Sequence, residues 1–207
     1  MKSRVLSLFP VITILLTVFV WLSESFAAPP SLKGQYAFTG ESSCLISTTV
    51  MAGTPQTNSG FTADLKAKGP SFVDSFSVHG VRTFNGDGTG TVVGTSVAIT
   101  YDNVSPSASS QDFQFSFTYT MQPDGTFTSH VVPGSFLGTI VAGPRTGQTV
   151  TVDDFSLNGA TSQDGKSITL ATDTPAVETH SFSNGDVQER ICHRSRVLVW
   201  LGVASPK

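Results

Sequence analysis

The ten residues Asp112–Met121, DFQFSFTYTM, alternate strictly between apolar and polar side chains. The apolar side chains occupy every second position: Phe113, Phe115, Phe117, Tyr119 and Met121. Successive side chains of an extended chain point to opposite sides, so this period of two predicts a β-strand with one buried face.

Similar alternation runs through most of the chain that follows residue 27. The predicted strands are Gly34–Ile46, Phe72–Asn85, Thr89–Tyr101, Asp112–Met121, Thr126–Val132, Ser135–Ala142, Gln148–Leu157, Lys166–Thr172 and Val187–Val203. They are rich in Val, Thr and Phe, which fit a pleated surface. The chain shows almost no helical periodicity, so we expect an all-β protein.

Short Asn-Gly and Asp-Gly turns separate several of these runs. They lie at Asn85–Gly88, Pro123–Gly125, Gln163–Gly165 and Asn184–Asp186. These residues tolerate the backbone angles of tight hairpins, so each turn predicts an antiparallel connection. The predicted fold is a single antiparallel up-and-down β-barrel of about eight to nine strands, with a β-sandwich as the alternative. Long strands favour the barrel, and closure removes exposed edges.

The N-terminus resembles a targeting segment. Two basic residues precede Val5–Leu22, an uncharged stretch that Pro10 interrupts, and small residues precede a cleavage point between Ala27 and Ala28. This pattern predicts a secretory signal peptide over residues 1–27 rather than a membrane anchor. We therefore expect a secreted or periplasmic protein, a single domain over residues 28–207, and no membrane span after cleavage.

Composition excludes several classes of protein. Charged residues make up 13% of the 207 residues, about half the usual share. Removal of residues 1–27 takes away two of the 12 basic and one of the 15 acidic residues, which leaves a net charge of −4. Such a charge argues against nucleic acid as a partner.

Motifs for catalysis or metal binding are missing from the sequence. The four histidines (His79, His130, His180 and His193) have no metal-ligand spacing, and there is no G-x-S-x-G segment. We therefore expect no cofactor and no metal. The sequence favours a non-catalytic protein, although an enzyme that acts by shaping a pocket would leave no motif.

The two cysteines predict a disulfide bond. Cys44 lies in the first predicted strand and Cys192 in the last. In an up-and-down barrel these strands are neighbours where the sheet closes, and a secreted protein meets conditions in which disulfides persist. A sandwich would also allow this pair.

The last predicted strand carries three arginines on one face. Arg190, Arg194 and Arg196 alternate with mostly apolar residues of Val187–Leu201. We expect this face to point outward, either as a strip that contacts an anion or an acidic partner, or as a solubilising surface with cross-strand ion pairs.

Two short segments resemble known proteins. Gly34-Gln35-Tyr36 is similar to the G-x-W signature of the lipocalins, with Tyr in place of Trp. The resemblance implies a ligand-binding barrel in which an arginine of the last strand (Arg190, Arg194 or Arg196) packs over the Tyr36 ring. Thr83–Gly90 also resembles a segment of uncharacterised secreted bacterial proteins, which implies no function.

We expect the barrel to bind a small apolar or amphipathic ligand without catalysis. The predicted pocket is lined by Phe113, Phe115, Phe117 and Tyr119, although the same aromatic face would also fill a solid core. The alternative is a secreted structural or interaction protein that contacts a macromolecule through loops or the arginine strip. The sequence leaves the ligand and the oligomeric state open.

Overall fold

The computed structural model describes residues 31–47, 60–101 and 105–202, and these residues form strands joined by turns and loops. The predicted signal peptide lies outside them. The strands are β1 (Lys33–Ser47), β2 (Ser71–Asn85), β3 (Thr89–Tyr101), β4 (Ser107–Met121), β5 (Thr126–Val131), β6 (Leu137–Ala142), β7 (Thr149–Val152), β8 (Ser156–Thr161), β9 (Ser167–Ala171), β10 (Val177–Phe182) and β11 (Val187–Gly202). Every strand pairing is antiparallel.

The sheet closes on itself as an up-and-down meander, as predicted. Five long strands, β1 to β4 and β11, run the full height of the barrel. The remaining wall has two stacked halves: β5, β8 and β9 complete an eight-stranded ring at one level, and β6, β7 and β10 complete one at the other. Three strands of an eight-stranded barrel are thus each interrupted once, between β5 and β6, β7 and β8, and β9 and β10.

The predicted Asp-Gly turns form four of the hairpins. Gly88, Gly125 and Gly165 adopt positive φ angles of 85°, 84° and 68°, which glycine reaches without strain. The aspartate before each glycine accepts a hydrogen bond from the backbone N–H two residues further on, as Asp87 does from Thr89 at 2.9 Å. Local sequence therefore fixes these connections.

The first and last strands meet at the closing seam. Cys44 pairs directly with Cys192, and the two sulfurs form the predicted disulfide bond with Cα atoms 4.1 Å apart. Both side chains point into the barrel and pack against Ile46. The bond joins positions 148 residues apart, so it ties together the two ends of the meander.

One end of the barrel is filled by a core of buried rings. Tyr36 on β1, Phe84 on β2 and Tyr119 on β4 pack edge to face, with ring centres 5.2 Å apart in the Tyr36–Phe84 and Phe84–Tyr119 pairs. The Tyr119 hydroxyl donates to the Leu32 carbonyl at 2.9 Å. These contacts close the end at which the β2–β3, β4–β5 and β8–β9 turns lie, and we call it the closed end.

Three differences from the predicted strands concern residues with a weak pattern. β4 begins at Ser107 rather than Asp112, because Ser107–Gln111 continues the pairing with β3 although its side chains are small or polar. β10 was not predicted, and the expected single strand Gln148–Leu157 is divided into β7 and β8. Among the described residues, no helix has the length and apolar character needed to cross a membrane.

Candidate functional site

A cavity of about 320 Å³ lies inside the barrel beyond the closed-end core. It exists because the inward side chains of two long strands are small there: Ser96, Ala98 and Thr100 on β3, and Ser107 and Ser109 on β4. Water takes about 30 Å³ per molecule in the liquid, so the space equals that of roughly ten water molecules. This volume suits a small organic molecule.

Aromatic rings form one wall of the cavity. Phe113 and Phe115 on β4 stack against Phe136, with ring centres 5.9 and 5.7 Å away, and Phe155 meets Phe115 edge-on at 5.4 Å. All four rings line the cavity. Phe136 lies in the break between β5 and β6, and Phe155 in the break between β7 and β8, so two of the three breaks place additional rings against the cavity.

The four aromatic residues predicted to line a pocket divide into two pairs. Phe113 and Phe115 line the cavity. Phe117 and Tyr119 lie deeper, in the closed-end core, where they are 1% and 6% exposed. The face is continuous, as its period of two requires, but only its Phe113 and Phe115 half borders the cavity.

The arginines of β11 point inward, which corrects the expectation of an outward strip. Arg194 and Arg196 are buried, and Arg190, Arg194 and Arg196 all line the cavity. The opposite face carries Val197, Val199 and Leu201, which are about half exposed. Cys192 fixes this orientation, because it shares the arginine face and must reach Cys44 inside the barrel.

Two of the buried arginines have carboxylate partners. Arg194 donates from both terminal nitrogens to the two oxygens of Glu178 on β10. Arg190 donates to Asp74 on β2 at 3.1 Å. Paired charges with matching hydrogen bonds are the usual form in which ionic groups are tolerated inside a protein.

Two other arginines lie beside the cavity without a carboxylate partner among the described residues. Arg196 donates to the carbonyls of Glu41 and Ser195, at 2.6 and 2.7 Å, and to the Ser42 hydroxyl at 2.9 Å. Arg82 on β2 donates to the Ser129 hydroxyl and stacks on the Phe117 ring. Both residues line the cavity.

Burial shifts the pKa values of these groups in consistent directions. Loss of water lowers the pKa of Arg82 and of Arg196 to about 9, and a neighbouring arginine charge adds to each shift. Both groups therefore stay charged at neutral pH. Burial, helped by the charge of Arg190, also lowers the pKa of His180 to about 4, so this imidazole is neutral there.

Glu178 remains ionised in this setting. Burial alone would raise the pKa of its carboxyl group, but the Arg194 charge and the nearby His180 outweigh it and lower the pKa below its usual value. Five arginines line the cavity among the described residues. Arg145 pairs with Asp186, Arg190 with Asp74 and Arg194 with Glu178, so Arg82 and Arg196 remain as an excess of two positive charges around the cavity.

Sequence reasoning missed Arg82, Asp74 and Glu178 as interior residues. The first two lie in phase with apolar residues of β2, since Phe72, Phe76, Val78 and Phe84 share their face. A charged side chain in phase with an apolar face is a signal for an internal polar group, and it was available in the sequence. Glu178 lies on β10, the strand that was not predicted.

The tripeptide Gly34-Gln35-Tyr36 lies at the closed end. The Tyr36 ring contacts Phe84, and its hydroxyl donates to the Gly165 carbonyl at 2.7 Å. The guanidinium next to this ring cluster belongs to Arg82 on β2, 5.3 Å from the Phe84 ring centre.

Neither a metal site nor a similar protein provides further evidence about the function. In residues 31–47, 60–101 and 105–202, no cluster of three His, Cys, Asp or Glu side chains is placed to hold a metal ion. A scan of protein-family models and a search of curated proteins find no match to the chain.

Proposed function

We propose that this protein is a secreted or periplasmic, non-catalytic β-barrel that binds a small amphipathic molecule in its interior cavity. The observation that carries the proposal is the cavity itself, lined largely by phenylalanine and aliphatic side chains together with a few serine, threonine and arginine side chains. Ligand pockets in proteins combine an apolar lining with a few fixed polar groups in this way.

The size of the cavity narrows the ligand class. Its volume lies at the lower end of the range of about 300–1,000 Å³ that is typical of ligand pockets. The ligand is therefore a compact molecule, close to a bicyclic aromatic or a short aliphatic chain in size.

The proposed location rests on two independent features. The Cys44–Cys192 disulfide is of the kind that persists in oxidising compartments. The first 27 residues carry the basic, apolar and small-residue order of a secretory signal.

The alternative function is contact with a macromolecule through loops or an arginine strip, and the inward arginines remove support for the strip but do not bear on the loops. The three arginines of β11 are directed into the barrel, so they present no charged strip to a partner at the surface.

The proposal is tested by blocking the cavity from within. Ala98 lines the cavity, whereas its neighbour Val97 is exposed on the outer face of β3. We expect isothermal titration calorimetry to detect 2-naphthamide binding to the mature protein and to the Val97→Phe control. Ala98→Phe should abolish binding.

Circular dichroism and the intact disulfide bond show whether each variant folds. If Ala98→Phe fails to fold, the smaller change Ser96→Leu blocks the same wall. The proposal is wrong if wild-type protein binds neither 2-naphthamide nor its acid analogue 2-naphthoate, or if a folded cavity-blocking variant binds them as well as the control does.

A further inference from the structure

Arg82 is a buried cation whose guanidinium group lacks some of its possible hydrogen bonds. The residue is 4% exposed, and its Nε has no hydrogen-bond partner among the described residues. A guanidinium group carries five N–H donors, of which the Ser129 hydroxyl takes one. The Phe117 ring covers one face of the group, 3.7 Å from its central carbon.

Arg196 on β11 is a second buried cation beside the cavity, separated from Arg82 on β2 by β1. It lines the cavity together with Arg82, and its oxygen partners are two carbonyls and one hydroxyl, which carry no net charge. The side chain lies over Gly40, where an added Cβ would approach the arginine Cδ to 2.6 Å. Gly40 thus makes room for Arg196 to lie along the interior wall.

Buried charges without a counter-charge are costly, and proteins normally pair or remove them. The same interior shows the paired arrangement twice, at Arg194 with Glu178 and at Arg190 with Asp74. Arg82 and Arg196 depart from that arrangement, and both border the cavity. A negatively charged group within the cavity would supply the missing counter-charge.

We propose that the ligand carries an anionic headgroup, of which a carboxylate is the simplest form, bound by Arg82 and Arg196, with its apolar part against Phe113 and Phe115. This inference rests on the proposed function and adds the charge of the ligand to it. A cationic headgroup is disfavoured by the two excess positive charges. A neutral headgroup would satisfy donors without balancing that charge.

The test compares two ligands of matched shape. 2-Naphthoate and 2-naphthamide differ in the charge of one group, and calorimetry measures both affinities at neutral pH. Charged hydrogen bonds contribute about 1.5–3 kcal/mol each, so we expect 2-naphthoate to bind about tenfold or more tightly than 2-naphthamide.

Arginine variants locate the effect. Arg82→Met and Arg196→Met should each lower 2-naphthoate affinity about tenfold and change 2-naphthamide affinity by less than about threefold. Lys166→Met removes one positive charge from an exposed position at the closed end and should leave both affinities unchanged. Arg196→Lys should retain part of the preference if Arg196→Met does not fold.

The outcomes separate the two proposals. Equal wild-type affinity for both compounds overturns the anionic ligand and leaves the cavity function standing. Loss of preference in Lys166→Met as large as in the arginine variants also overturns it, because the effect would then reflect overall charge. Absence of binding by both compounds overturns the proposed function and this inference together.

Discussion

The central carbon of the Arg82 guanidinium lies 3.7 Å from the centre of the Phe117 ring. A cation held over an aromatic face gains about 0.5–2 kcal/mol, which offsets only part of the cost of burying the charge. Arg82 therefore stabilises the folded protein less than its many contacts suggest. A residue of this kind is explained better by binding than by folding.

Paired and unpaired arginines should respond differently to removal of their charge. We expect Arg82→Met to leave the free energy of unfolding unchanged or slightly raised, because it removes an unpaired buried charge. Arg194→Met should cost about 3–5 kcal/mol, because it leaves the Glu178 carboxylate buried alone. Urea unfolding measures both. Equal destabilisation by the two substitutions would contradict the distinction between them.

Stability should rise with pH between about 4 and 6.5. His180 has a pKa of about 4 in the folded protein against 6.5 when unfolded, so over this interval the unfolded chain binds more protons. The shift corresponds to as much as about 3 kcal/mol in the free energy of unfolding. This stability is fully present above pH 6.5 and is lost as the pH falls through 4. Glu178, with its lowered pKa, adds a loss in the same direction at more acidic pH.

The variant His180→Gln should flatten this pH dependence, and His79→Gln, at an exposed position on β2, serves as its control. Urea unfolding at a series of pH values measures the slope. A slope that is unchanged in His180→Gln would show that this imidazole is not buried in its neutral form.

Phe115 and Phe117 should have separable roles. Phe115 borders the cavity, so Phe115→Ala should weaken 2-naphthamide binding severalfold at a moderate cost in stability. Phe117 is 1% exposed within the closed-end core, so Phe117→Ala should cost about 3–5 kcal/mol. Calorimetry and urea unfolding of the two variants decide this. If Phe115→Ala binds 2-naphthamide as tightly as the wild type does, the Phe115 ring is not part of the binding site.

The Cys44–Cys192 bond should contribute strongly to stability, since it closes a loop of 148 residues. Loop-closure entropy sets an upper limit of about 5 kcal/mol for its loss. The double variant Cys44→Ala/Cys192→Ala should unfold at a correspondingly lower urea concentration. Intact-mass measurement after alkylation checks the bond directly, and two alkylated thiols in the unreduced, denatured protein would contradict it.

The barrel could be predicted because its signals are local. The alternation of Asp112–Met121 and the Asp-Gly turns determine strands and hairpins without reference to distant residues. Pairing of Cys44 with Cys192 followed from the meander order together with the predicted secretion and the presence of two cysteines. The start of β4 was missed because Ser107–Gln111 offers no apolar period, and its strand structure depends on pairing with β3.

The orientation of β11 could not be taken from polarity alone. Arginines were assigned to the outside because charged side chains usually face water. The barrel reverses this rule, with Val197 and Val199 exposed and Arg194 and Arg196 buried. Leu198 shares the arginine face and is buried, so the strand does carry a signal for its true orientation. One apolar residue in phase with the arginines is a weaker indication of an inward face than three arginines are of an outward face.

Binding within the barrel is tested most directly by an NMR titration of the isotope-labelled mature protein with 2-naphthoate. We predict saturable shifts concentrated at cavity residues such as Ser96, Ala98 and Phe115, with little change at the outward-facing Val93 and Val97. The absence of saturable shifts, or shifts confined to outward-facing residues, would contradict an interior binding site.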